Sequence, residues 1–152
     1  MNYKLIKYFL ALFLGLTIQH SWGQNFADKE YYLVDSLDIT SLTESDFVLI
    51  DTNLTIFHQA KADTLKVNAI TKIVEESWDI NVWPRYNQWI FDYTQVLIKK
   101  PIKGAVKRKV FFQHASAINN MGYLNSIKGN VSEALALYLK SLAMQEEFND
   151  QE

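Results

Sequence analysis

Three acids stand close enough together to suggest proton-transfer chemistry. Glu75, Glu76 and Asp79 lie within five residues, and paired carboxylates can act as general acid and general base. Consecutive positions on a helix do not face each other, so Glu75 and Glu76 read as an ordinary solvated acidic face rather than a catalytic pair. His58 and His114 are the histidines beyond the N-terminal segment. Neither has a second ligand-type residue at i+3 or i+4, the spacing that helix-borne metal sites use, so both read as core-edge or surface side chains. No phosphate-cradling glycine loop, nucleophile elbow or H-E-x-x-H run occurs. The chain has no cysteine, which removes disulfide staples. The expectation is a protein without catalytic residues, cofactor or metal.

Two further clusters bear on binding. Trp78, Trp83, Tyr86, Trp89, Phe91 and Tyr93 are crowded together and could line a sugar or peptide groove. Tyr86, Trp89 and Tyr93 share one helical face, however, which reads first as core between two helices. Lys99, Lys100, Lys103, Lys107, Arg108 and Lys109 put six positive charges into eleven residues. In an exported chain nucleic acid is no normal partner. This stretch therefore reads as a solvated connector, with weak contact to an anionic membrane through 99–109 as its minor role.

The elements that must hold these clusters are helical throughout. Leu54, Phe57 and Ala60 recur at helical spacing behind Asp51. "DTLKVNAITKIVEESWDIN" places Val67, Ile70, Ile73 or Val74, and Trp78 on one stripe. Pro84 suits the first turn of the next helix, with Tyr86, Trp89, Ile90, Tyr93 and Leu97 on its apolar side. A long helix is expected from about Ala105 to Lys128 and a last one from Val131 to Phe148, joined at Gly129-Asn130, with Asn130 and Glu133 forming a capping box. The fold class is all-α, built of antiparallel helical hairpins. Gly122 and Ala134 are the expected contact points of the last hairpin, with Tyr138 and Leu142 filling the space beside them.

The 152 residues fit one domain or part of one, and 49% hydrophobic content suffices for a core. Residues 1–23 have the pattern of a signal peptide. Lys4 and Lys7 precede the apolar run from Tyr8 to Ile18, which is too short to span a bilayer, and Ser21 and Gly23 sit where a signal peptidase needs small residues. Removing two lysines and no acid moves the formal charge from −2 to −4. The mature chain is expected to be exported, in the periplasm, and not a lipoprotein, since it has no cysteine to acylate. Residues 24–50 read as a polar arm, 51–100 as an irregular helical region and 101–152 as the terminal hairpin.

The hairpin "NNMGYLNSIKGNVSEALALYLKSLAMQEE" resembles a tetratricopeptide repeat over 34 residues, 115–148. Met121-Gly122, Gly129, Ala134, Tyr138 and Ser141 stand at that family's spacing. Asn125 replaces its usual tyrosine, and Glu146 stands near where a proline often ends the motif. Region 51–100 looks like a degenerate version. The wording is similar to repeats in exported sensor proteins of the Bacteroidetes type, where a histidine kinase, cyclase or transcription regulator follows. The resemblance implies an α-solenoid fragment, a protein or peptide partner, and further repeats in a longer parent chain. It also implies a groove lined by the first helix of the hairpin, here Ser116, Asn119, Tyr123 and Ser126. No basic residue joins Asn119, so the expected contacts are amide-type rather than a carboxylate clamp.

Overall fold

The structure is a computed structural model and describes residues 26–149. The expected signal peptide, 1–23, lies outside the described residues. Among the described residues six helices follow in order: α1 Lys29–Tyr32, α2 Glu44–Gln59, α3 Asp63–Glu76, α4 Trp83–Ile98, α5 Gly104–Ile127 and α6 Val131–Asn149. Each long helix packs on the next in sequence, and α3 also reaches α5. The hairpins α3–α4 and α5–α6 therefore stack side by side, an all-α, repeat-like architecture. Among the described residues no helix is long and apolar enough to cross a membrane.

The main core joins the first five helices. Ile50, Leu54 and Phe57 of α2 meet Ala69, Ile70 and Ile73 of α3, Tyr86 and Ile90 of α4, and Ala117 of α5. A second cluster of Val67, Leu97 and Val110 closes the other end. The expected stripes of α3 and α4 thus supply the core through Val67, Ile70, Ile73, Tyr86, Ile90 and Leu97.

The arm expected over 24–50 is corrected by the packing. Ala27, Val34 and Leu37 belong to the main core, and Leu37 is only 2% exposed. Its polar residues satisfy the arm's own turns instead of loosening it. Ala27 N–H donates to Leu37 O at 2.8 Å, and Asp38 accepts from both the backbone and hydroxyl of Thr40. Those bonds hold the Asp38 carboxyl below the usual carboxylate range. Arg85 reaches across to Asp35 O at 3.2 Å, and His58 Nε2 bonds Tyr31 O at 2.8 Å.

Helix α2 also starts earlier than Asp51. Thr43 is its N-cap, accepting from Asp46 N–H at 3.1 Å while its hydroxyl donates to Asp46 Oδ2 at 2.6 Å. The α5–α6 turn follows a Schellman pattern. Asn130 N–H donates to Asn125 O at 2.9 Å and Gly129 N–H to Ser126 O at 3.0 Å, with Gly129 at φ +80°. The expected capping box is not seen among the described residues: the Asn130 N–H goes to Asn125 O rather than to Glu133, and the side-chain Nδ2 donates to Asn125 Oδ1 at 3.2 Å.

Candidate functional site

The groups that position the site are best followed from the α4–α5 interface. Asn87 and Thr94 are buried polar residues on α4, and each is satisfied across the interface. Asn87 Nδ2 donates to Ala117 O at 3.0 Å, and Asn120 Nδ2 donates to Asn87 Oδ1 at 2.9 Å. Thr94 Oγ1 donates to Ile90 O at 2.6 Å and lies 2.9 Å from His114 Nδ1. Its single hydroxyl proton is committed to Ile90, so the imidazole Nδ1–H is the donor to Thr94. Burial, with Lys140 nearby, pushes the His114 pKa down, and Phe91 stacks on the ring at 4.7 Å. His114 is therefore a satisfied core histidine.

The same register fixes Asn120 and Tyr123 on the side of α5 that faces the end of α3. There a cleft of about 460 Å³ opens between the end of α3, the 77–82 connector and α5. Trp83, Tyr123, Ile127, Asn120 and Glu75 line it beside Trp78. The Trp83 and Tyr123 rings sit 6.2 Å apart, tilted by 37°. Trp78 is 94% exposed and Tyr123 about half exposed.

Trp78 departs from the expected core stripe, and the cause is a long-range contact at the end of α3. Ser77 leaves the helical conformation, and its hydroxyl donates to Asp46 Oδ1 at 2.8 Å. Helix α3 ends at Glu76, two residues short of Trp78, so the stripe does not carry that ring into the core. Asp79 Oδ1 then caps Asn81 N–H at 2.7 Å, fixing the connector. Of the other aromatics, Trp83 and Tyr86 are buried, while Trp89 and Tyr93 are half-buried and stack at 4.6 Å. Tyr93 Oη donates to Asp63 Oδ1 at 2.6 Å; burial and that bond push its pKa up to about 12.

A second hollow, of about 400 Å³, lies on the far side of Trp78 and is lined by Asp46, Glu76 and Asp79 among others. Glu75 and Glu76 thus face different hollows, as neighbouring helix positions must. Among the described residues no group of three or more metal-ligating side chains converges.

The residues expected to line a groove divide. Ser116, Asn119, Tyr123 and Ser126 are all exposed along α5, but only Tyr123 lines this cleft. Asn120, one position on from Asn119, is the amide that faces it. The contact residues of the hairpin do meet. A Cβ on Gly122 would lie 2.8 Å from the Tyr138 ring and 3.2 Å from Ala134 O. Ser141 is buried and its hydroxyl donates to Ala115 O at 2.8 Å. Met121 is half-buried. Leu142 departs from the expected packing role: it is 51% exposed, because Ser141 rather than Leu142 takes the inward position.

These helices define an all-α protein of stacked hairpins with an aromatic cleft between the α3–α4 hairpin and α5. Comparison with family models, with curated proteins and with solved structures finds no match.

Proposed function

We propose that this chain is an exported, non-catalytic helical-repeat module that binds a protein or peptide, of the tetratricopeptide type. One observation carries the reading. A tryptophan almost wholly in solvent stands on a connector anchored by the buried Ser77–Asp46 hydrogen bond, beside two more aromatic rings and an open cleft. Soluble proteins rarely present such a patch without a partner for it. Tryptophan and tyrosine dominate the energetics of protein interfaces because they bury large area with few rotatable bonds. The spacing of Gly122, Gly129, Ala134, Tyr138 and Ser141 supports the family assignment, and the charged start and apolar run of residues 1–23 support export.

The test is selection of displayed peptides on the immobilised chain, repeated with Trp78→Ala. Binders whose affinity falls by about tenfold or more in the variant, at unchanged melting temperature, are the expected result. Binders indifferent to Trp78 would place the binding surface elsewhere and remove this reading.

A second reading is favoured by the outer face of α6. Val131, Leu135, Leu139 and Leu142 form an exposed apolar row there. Such a row suits a further helix laid against it, as in a longer repeat array that serves as the sensory region of a histidine kinase or cyclase. Reading the gene downstream of codon 152 decides it. A continuing frame that encodes more helical repeats is the expected result, and an immediate stop would remove this second reading.

A further inference from the structure

We propose that the occupant of the cleft is a cationic segment, a peptide in which lysine or arginine alternates with bulky apolar side chains. The inference rests on the binding reading above and names the chemistry of the partner. Trp78 stands between two hollows, and each carries carboxylate. Glu75 lines the first; Asp46, Glu76 and Asp79 line the second. Neither hollow has a lysine or arginine in its lining. Lys72 reaches Glu76 at 3.7 Å, with both side chains more than half exposed. Glu75 has no ion-pair partner among the described residues.

The apolar components come from the same residues. The faces of Trp83 and Tyr123, with Ile127 beside them, accept an aliphatic or aromatic side chain. The exposed Trp78 ring presents its negative π-face to a cation, which aromatic rings attract in proportion to their desolvation. A lysine or arginine stem can lie along such a ring while its charged head stays among the carboxylates. An acidic segment laid here would meet four carboxylates, and like-charge juxtaposition rejects it.

The experiment titrates the ¹⁵N-labelled chain with three peptides of one apolar pattern: alternating lysine and leucine, the glutamine-for-lysine counterpart and the glutamate-for-lysine counterpart. The indole N–H of Trp78 and the signals of Tyr123 are followed. The lysine peptide is expected to shift both, to bind about tenfold tighter than the glutamine peptide, and to weaken as salt rises. The glutamate peptide is expected to leave Trp78 unmoved. Glu75→Gln, at an exposed-side position that the core does not use, should narrow the gap between the lysine and glutamine peptides without changing the melting temperature.

Equal affinity for the lysine and glutamine peptides overturns the inference while the binding reading survives. Selected peptides that depend on Trp78 yet carry no lysine or arginine do the same. Failure of the binding reading looks different, because then no selected peptide depends on Trp78 at all. The chain's own basic stretch, 99–109, offers a rival occupant from a second copy. Concentration-dependent association in sedimentation, abolished by Lys103→Glu, would assign the cleft to that copy and overturn a separate partner.

Discussion

At Gly122 the backbone of α5 passes so close to α6 that a methyl group has nowhere to go. An added Cβ would fall 2.8 Å from the Tyr138 ring, which can swing, and 3.2 Å from the carbonyl of Ala134, which cannot without moving the helix. Replacing glycine by alanine inside a helix otherwise gains up to about 1 kcal/mol of propensity. Overpacking typically costs about 1–3 kcal/mol, so Gly122→Ala is expected to destabilise the chain on balance. Urea denaturation of the variant checks this, and a stabilised variant would show that the helices do not cross there. His114 makes a second residue-scale prediction. Burial lowers its pKa from the ordinary 6.5, so above that pH the group contributes no pH dependence. Below it the unfolded chain takes up a proton that the folded chain resists, and stability falls as pH drops through 6.5 and on through the lowered folded value. The groups facing the ring are Thr94, Phe91 and Lys140, none of them an acid that would stabilise the imidazolium. Urea midpoints measured from pH 7.5 to 5 should decline on the acid side, and His114→Gln should flatten that slope whatever it does to the absolute stability.

At the scale of elements, α5 and α6 were legible because their signals are local. Small residues at 122, 134 and 141, a glycine with positive φ at the turn between the two helices, and a 24-residue run without proline leave few other arrangements. The contrast is α3, whose stripe continues through Trp78 in sequence but stops at Glu76 in space. The stop comes from Ser77 bonding Asp46, 31 positions away, and no window of sequence contains both. The cleft depends on that stop, so its principal ring was invisible to periodicity. The start of α2 was available in principle, since Thr43 and Asp46 stand at capping-box spacing before an apolar run. The hairpin packing itself is tested by inserting the same large side chain on either side of α6. Ala134 is buried against α5, whereas Ser132 is exposed. Ala134→Trp is expected to cost about 1–3 kcal/mol or more, and Ser132→Trp to stay within about 0.5 kcal/mol. Equal losses in thermal denaturation would mean that the facing of α6 is wrong.

Across the whole molecule, the question is which parts form one cooperative body. Residues 26–43 carry aspartate, serine or threonine at seven positions, which gives them the look of a tether, yet nine of the eighteen side chains are apolar. Those apolar residues decide its behaviour. Val34 and Leu37 enter the same core as Ile50, Ile70 and Tyr86, so the arm closes the end of the stack that would otherwise expose α2. Tyr86 is wholly buried there: among the described residues its hydroxyl meets no hydrogen-bond partner, and burial raises its pKa. At the opposite end the outer face of α6 leaves leucines in solvent. Two leucine-to-alanine substitutions therefore separate a folded arm from a tether. Leu37→Ala removes a side chain that is 2% exposed, and core truncations of this kind cost about 2–5 kcal/mol. Leu139→Ala removes a side chain that is 56% exposed and should change stability by less than about 0.5 kcal/mol. For a domain whose whole stability is about 5–15 kcal/mol, the first loss lowers the denaturation midpoint visibly while the transition stays single. A tethered arm would instead leave Leu37→Ala as silent as Leu139→Ala, and the core would then have to be redrawn without residues 26–43.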